Sequence, residues 1–358
     1  MLNFEAEMIN TLRLLLLPFS LIYGLVVVIR NKFYDWGIFK STSFNLPVIC
    51  VGNLVVGGSG KTPLTEYLVQ LLEGYKIAIL SRGYGRDTKG FILADPQATA
   101  NSIGDEPMQY YRKFPQVTVA VCEDRVKGIN ALKATHDLII LDDAYQHRGV
   151  KAGFNILLFE FAKLKRQQLL LPAGNLREPF IGYKRAQAIL VTKVPGKLEQ
   201  EDKRNIEKQF ASDWKPAFSA IQYHQLQPVF NGESLSLTSL PKNTVVFLLS
   251  GIANPAPLIA HLKSFCNPII HHDYPDHHQF TRPEIERLQH EFNKENTKEK
   301  IIITTEKDAQ RLSAMGIEEL MFGIPLYFLP IKIEILAEDK LIFDQKILNY
   351  VSSYTRNR

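Results

Sequence analysis

A chain of 358 residues, 46% apolar and 22% charged, has the composition of an ordinary globular protein with a substantial core. The soft prior of about 150 residues per domain leaves room for two units. A formal charge of +5 suits acidic substrates or anionic headgroups, but with no dense Lys/Arg stripe among aromatics it does not argue for nucleic acid. Cys50, Cys122 and Cys266 are odd in number, scattered and without metal-ligand spacing, which excludes a disulfide framework and reads as a reduced cytosolic protein.

Residues 14–29 form an uncharged apolar run between Arg13 and Arg30, interrupted by Pro18. Sixteen residues fall short of the ~20 needed to cross a bilayer. No small-residue cleavage site follows, so a secretory signal is not expected either. Tyr23, Tyr34 and Trp36, with Arg30 and Lys32, have the character of interfacial anchors. The run reads as a helix seated on a membrane; the bland alternative is a buried core helix.

Residues 48–51 predict a buried strand, followed by a glycine-rich turn, Gly60-Lys61-Thr62, and a segment with helical spacing. Strand, glycine loop and helix in that order make a phosphate cradle, formed here by Val55, Val56, Gly57, Gly58, Ser59, Gly60, Lys61 and Thr62. Glycines let backbone N–H groups approach phosphate oxygens, Lys61 reaches toward the β- and γ-phosphates, and the Thr62 hydroxyl suits Mg²⁺. The usual pattern has a glycine five residues before Gly60, where this chain has Val55.

Further strands are predicted at 76–81, 117–121, 138–141, 155–159 and 188–193. The first runs into Arg82-Gly-Tyr-Gly-Arg86, at the sheet edge where α/β proteins bind ligands. Gly104-Asp105-Glu106-Pro107 opens a helix, a place that favours acids for dipole reasons alone. The strand ending in Asp142-Asp143, about 80 residues after Lys61, has the form of a Walker B element whose aspartate holds Mg²⁺. Arg177, in a Gly/Pro-bounded loop, is either a phosphate clamp or a surface arginine paired with Glu178.

A second α/β unit is expected from near residue 195, with 245–250 as its central strand and a helix over 283–292. Its cluster His271-His272-Asp273-Tyr-Pro-Asp276-His277-His278 leaves three readings open: a zinc site, a solvated polar loop, or an Asp–His pair near the chemistry. The expected division is 1–40 for the membrane-associated helix region, 41–195 for the P-loop unit, and 196–358 for a smaller α/β unit with linker strands. The C-terminal segment of that last unit is placed back on the first.

The ordered set Val51-Gly-Asn-Leu-Val-Val-Gly-Gly-Ser-Gly-Lys-Thr-Pro63, Ser81-Arg-Gly-Tyr-Gly85, Gly104-Asp-Glu-Pro107, Asp142-Asp143 with Gln146, Leu171-Pro-Ala-Gly174, Asp276-His277 and Thr305-Glu-Lys-Asp308 resembles the lipid A 4′-kinases. These are the tetraacyldisaccharide 4′-kinases of Gram-negative bacteria, and the match covers nearly the whole length. The resemblance implies two α/β/α units, P-loop NTPase-like and Rossmann-like, joined by a small β linker. It implies MgATP-dependent phosphorylation of the 4′-hydroxyl of a tetraacyldisaccharide 1-phosphate at the cytoplasmic face of the inner membrane.

By the same resemblance, Asp105 is the base near the acceptor hydroxyl and His277 its partner, while Lys61, Thr62, Glu106, Asp142 and Asp143 serve phosphate and Mg²⁺. Arg82, Asn175 and Arg177 are candidates for holding the disaccharide and its 1-phosphate. The expected partners are ATP, the lipid precursor and the membrane surface, with no nucleic acid and no obligate protein partner. Ala144 departs from the glycine that often follows the aspartate pair. Two other classes compete: a P-loop kinase of a soluble metabolite, and a membrane-docked ATPase switch.

Overall fold

A computed structural model of the chain describes residues 12–355; residues 1–11 of the expected N-terminal region and residues 356–358 lie outside the described part. After a short helical stretch over 12–14, the helix α1 (Leu17–Asp35) begins beside Pro18. Pro18 sits in the first turn, where the missing N–H would have no helical partner. The helical run is thus broken by a turn at Leu15 and Leu16, directly ahead of the proline that starts α1, and α1 continues past Arg30 and Lys32. Only Ser20 and Gly24 of α1 are buried, and no helix among the described residues is long and apolar enough to cross a membrane.

The chain then lays down β1 (Val48–Asn53), α2 (Lys61–Leu71), β2 (Ile77–Ser81), β3 (Ile92–Leu93), α3 (Ala100–Ile103), α4 (Asp105–Lys113), β4 (Thr118–Val121), α5 (Arg125–Leu132), β5 (Leu138–Asp142), β6 (Phe154–Glu160), α6 (Phe161–Leu164), β7 (Ala188–Thr192), α7 (Gln200–Glu207) and β8 (Ala217–Tyr223). A second group follows: β9 (Gln227–Pro228), β10 (Val245–Ser250), α8 (Ala256–Lys263), β11 (Ile269–Asp273), α9 (Arg282–Lys294), β12 (Lys300–Thr305), α10 (Glu306–Ala314) and β13 (Leu326–Leu329). The chain ends in β14 (Ile331–Ile335) and α11 (Ala337–Thr355).

Nine strands form one sheet in the order β14-β8-β7-β6-β1-β5-β2-β4-β3, parallel except at its two ends, β14 and β3. All six residues of β1 are buried, as expected of a strand covered on both faces. Cys50 packs into the cluster on one face with Leu141, Leu157 and Val191; Ile49 and Val51 pack on the other with Leu64 and Leu68 of α2. Phe343, Ile347 and Val351 of α11 complete that second face, and the Tyr350 hydroxyl accepts the Val48 N–H at 2.9 Å. Each fully buried large apolar side chain contributes about 1.5–3 kcal/mol, so this two-sided burial is what holds β1 in register.

The smaller sheet has the order β11-β10-β12-β13-β9, parallel except for the edge strand β9. The 245–250 run stands beside the middle of this sheet, and the middle itself is β12. Downstream of residue 195, both β8 and β14 pair within the larger sheet. In each sheet the strand order reverses at one place, at β1 between β5 and β6, and at β10 between β11 and β12. Parallel α/β sheets open a crevice at the C-terminal ends of the strands where the order reverses. The loops after β1 and β10 are therefore where a ligand site is built.

Candidate active site

The turn after β1 places Gly57 at φ 102° and Gly60 at φ 89°, left-handed conformations that a side chain would strain. Gly60 caps α2, and Lys61 and Thr62 are its first residues. Pro63 follows within the first turn, where a backbone N–H has no helical acceptor anyway. The N–H groups of residues 57–60 meet no acceptor among the described residues, so they stand free for an anion at a helix N-terminus. The Val56 N–H is different: it donates to the Asn175 carbonyl at 2.9 Å. Val55 is buried and bridges antiparallel to Leu176, which explains a β-branched residue where a glycine is usual. The turn's shape comes from Gly57, Gly60 and the Asn53 side chain, which donates to the Val55 carbonyl at 2.7 Å.

Asp142 ends β5 beside this cradle, fully buried. Its Oδ2 accepts the Tyr110 hydroxyl at 3.2 Å, and its Oδ1 meets no hydrogen-bond donor. Burial, then Glu106 and Asp143, push its carboxyl up to about 7, against the opposing pull of Lys61 and Tyr110. Asp143, held at φ 48°, lies 3.6 Å from Lys61 Nζ and 3.5 Å from Arg177 Nη1. An orphaned carboxylate oxygen among negative neighbours, next to a hydroxyl at Thr62, is a donor set short of one cation. It fits Mg²⁺, an oxygen-seeking ion that takes few protein ligands and completes its shell from phosphates and water. Among the described residues no cluster of three or more His, Cys, Asp or Glu is arranged to hold a metal without such help.

The third part of the site crosses from the smaller sheet. Gly104, at φ 97°, presses against the Gly83–Tyr84 backbone and turns the chain into α4, so that Asp105 and Glu106 occupy its first turn. His277, itself at φ 63°, brings Nδ1 to 3.0 Å from Asp105 Oδ2. Lys307 Nζ lies 3.4 Å from His277 Nε2; an ammonium only donates, so Nε2 is the acceptor and Nδ1 carries the proton toward Asp105. The Asp105 carboxyl is raised by burial, but His277, Arg311 and Lys307 outweigh that and hold it well below the usual carboxylate range. Lys307 also pairs with Glu106 at 2.7 Å, and Arg311 reaches Asp105 at 2.6 Å. Farther along the same contact, Lys113 sits between Glu66 and Glu306 at 2.8 Å from each.

The histidine cluster disperses to separate partners. His271 faces Ser250 at 2.8 Å, His272 stacks on Phe247, and His278 meets Glu284 at 3.0 Å. Of the three readings left open, the zinc site has no support among the described residues, and His277 alone of these four reaches across to Asp105. Arg177 does not pair with Glu178, which is held instead by Arg185 at 2.7 Å; its guanidinium turns to Asp143 beside the cradle. Asn175 reaches the cradle through its backbone, while its side chain accepts from Arg13 at 3.0 Å. Arg82 is exposed on the loop after β2.

The family described as LpxK, tetraacyldisaccharide-1-P 4′-kinase, matches residues 12–352. The chain belongs to the tetraacyldisaccharide-1-P 4′-kinase family. It is 45% identical to the tetraacyldisaccharide 4′-kinase of Bacteroides thetaiotaomicron over 357 residues, covering 96% of this chain and 94% of that protein. With the same-named kinase of Flavobacterium psychrophilum it shares 44% identity, over 97% of this chain and 99% of the other. The crystal structure of LpxK from Aquifex aeolicus in complex with ATP has a TM-score of 0.74 and 30% identity, covering 95% of this chain and 99% of that one. The chain is thus a kinase on the LpxK fold.

In this LpxK-family protein, sequence reasoning missed two side chains that the fold brings into the site. Tyr110 belongs to no motif, yet its hydroxyl donates to Asp142. Arg311 lies three residues beyond the Thr305-Glu-Lys-Asp308 motif. The one local signal was an i,i+3 Asp–Arg pair, which on most helices is a solvated surface contact.

Proposed function

We propose that this kinase transfers the γ-phosphoryl group of ATP to the 4′-hydroxyl of a tetraacyldisaccharide 1-phosphate, a step of lipid A biosynthesis, at the cytoplasmic face of the inner membrane. The observation that carries the reading is the meeting of two machineries. An anion cradle after β1 and a carboxylate–histidine pair, Asp105 and His277, are linked by α4, which carries Asp105 in its first turn and bonds Asp142 through Tyr110, and α1 turns apolar residues outward.

Phosphoryl transfer asks little covalent help of a protein; it asks for in-line positioning, charge neutralisation and a place for the acceptor's proton. The N–H groups of residues 57–60 and Lys61 bind the phosphates. Thr62 and Asp142, with Asp143 and Glu106, would hold Mg²⁺, which when bound neutralises phosphate charge. Asp105 takes the acceptor proton, and His277 holds the carboxylate in place. Arg82, Asn175 and Arg177 are assigned to the disaccharide and its 1-phosphate, an arginine fork being suited to phosphate.

The division of labour along the chain follows: residues 1–40 for the membrane, 41–195 for ATP, and 196–358 for His277 and the linker strands, with the C-terminal segment packed back on the larger sheet. Membrane docking is supported by the outward side of α1. Phe19, Leu21, Ile22, Leu25 and Val26 are each at least 60% exposed, while Arg30 and Asn31 on the other side bond to Gln146 and Glu178. A helix of this kind lies in the interface and buries its apolar face about 5–10 Å deep.

The test is incubation of the purified chain with γ-labelled ATP, Mg²⁺ and the tetraacyldisaccharide 1-phosphate in mixed micelles. Label should appear in the lipid. ATP turnover with no label in the lipid would end this reading.

A further inference from the structure

We infer that Arg311 is a positioning residue for the phosphoryl transfer: from the smaller sheet it grips one oxygen of Asp105 and leaves the other, Oδ1, facing the acceptor hydroxyl. The inference rests on Asp105 being the base and adds which atom of it works and what aims it. An arginine that meets a carboxylate for strength alone engages both oxygens through its fork. Here Nε at 3.2 Å and Nη2 at 2.6 Å both go to Oδ2, the oxygen that His277 Nδ1 also reaches at 3.0 Å. Among the described residues no donor is recorded at Oδ1, and it is not among the buried orphaned oxygens.

Arg311 is itself held. Its side chain is 1% exposed, and its Nη1 donates to Asp308 Oδ1 at 2.6 Å. Asp308, fully buried, accepts the Gly251 N–H at 2.9 Å and the Thr305 hydroxyl at 2.7 Å through its other oxygen. The chain of contacts therefore runs from the loop after β10, through Asp308 and Arg311, to the carboxylate on α4. Asp308 is bonded through both of its oxygens and Arg311 through both ends of its fork, so along this path, among the described residues, only Oδ1 of Asp105 is left without a donor. One contact across the same interface, Arg112 with Gln310, lies on its exposed rim and touches no group of the site.

The acceptor O–H bond breaks and its proton goes to Asp105 Oδ1. The acceptor oxygen forms its bond to the γ-phosphorus, and the bridging bond to the β-phosphate breaks, its electron pair leaving with ADP. The Oδ1 proton then returns to water. A carboxylate free to rotate would present Oδ1 in only part of its conformations; one pinned at Oδ2 presents it in all.

The experiment is a double-mutant cycle on the full chain with Asp105→Asn, Arg311→Met and the pair, with Arg112→Ala as the interface control. Asp105→Asn should lose about 100-fold or more in kcat. Arg311→Met should lose about tenfold in kcat with KM for ATP and lipid within about twofold, and Arg311→Lys should recover part of that loss. Arg112→Ala should keep kcat. The double variant should be no slower than Asp105→Asn, because a residue acting through Asp105 has nothing left to aim. Multiplying losses in the double variant, or a wild-type kcat in Arg311→Met beside an inactive Asp105→Asn, overturns the role of Arg311 alone. An active Asp105→Asn overturns the assignment of the base. If Arg311→Met does not fold, Asp308→Asn, which loosens the anchor, must show the same kcat-selective loss or the inference fails.

Discussion

Asp105 and Lys61 sit within one crevice but in opposite electrostatic settings, and their substitutions should be distinguishable. Replacing Asp105 with alanine removes the proposed proton acceptor and is expected to lower kcat by about 10²-fold or more while ATP affinity changes little. Steady-state kinetics with both substrates varied would check this; an unchanged rate would take Asp105 out of the mechanism. Lys61 is proposed to bind the phosphates and lies 3.6 Å from Asp143, so Lys61→Ala should raise KM for ATP and lower kcat together. The non-glycine residues with left-handed backbone among the described residues, Asp143, Lys193 and His277, all stand in loops at the strand ends around this crevice. Strain of this kind, about 1–3 kcal/mol each, persists where the surroundings over-determine it, and functional loops are where it gathers.

At the scale of elements, α1 shows how a helix is attached by its small residues. Gly24 lies against Leu170, and an added Cβ would come within 2.6 Å of that side chain. Ser20 donates to the Leu170 carbonyl at 3.1 Å and accepts the Ala173 N–H at 2.9 Å. Gly24→Leu should therefore push α1 off the 169–178 loop at a cost of about 1–3 kcal/mol, read as a lower melting temperature. A melting temperature equal to that of the parent would mean that the helix is not docked there. A variant lacking residues 1–35 should lose co-sedimentation with vesicles; binding equal to the full chain's would remove α1 as the anchor.

Across the whole molecule, the two sheets are joined through charged groups, and pH should act on that joint. The Asp105 carboxyl is held below its ordinary range in the folded chain, so the link to His277 and Arg311 stabilises fully above that range. It weakens as pH falls toward the lower folded value. Thermal melts taken from pH 7 down through about 4, the ordinary carboxylate value, should fall more steeply for the parent than for Asp105→Asn. Parallel curves would show that this contact contributes nothing to the joint. Lys113 between Glu66 and Glu306 adds a second such joint, and burial together with Glu306 pushes Glu66 up to about 7.

Much of this was legible in the chain because it is local. The cradle is contiguous in sequence, and strand, glycine turn and helix form from neighbours whose spacing is visible. The apolar run before it is legible for the same reason, although whether Pro18 breaks or opens the helix depends on where the first turn falls. Asp142 was legible as an acid at a strand end, but its orphaned oxygen and the Tyr110 hydroxyl beside it were not. The pairing of Asp105 with His277 came from resemblance and not from spacing, since 172 residues separate them.

What the sequence alone determined are the features made by residues within a turn or two of each other: the glycine turn between strand and helix, the strand ends that carry acids, and the apolar run ahead of them. Tertiary structure decided which of those ends face one another, that β8 and β14 pair within the larger sheet, and that Arg311 reaches Asp105. The physical reason is that backbone geometry and hydrophobic period act over a few residues and leave a mark in spacing. Contacts between buried charges on different sheets depend on how whole layers pack, and packing leaves no period to read.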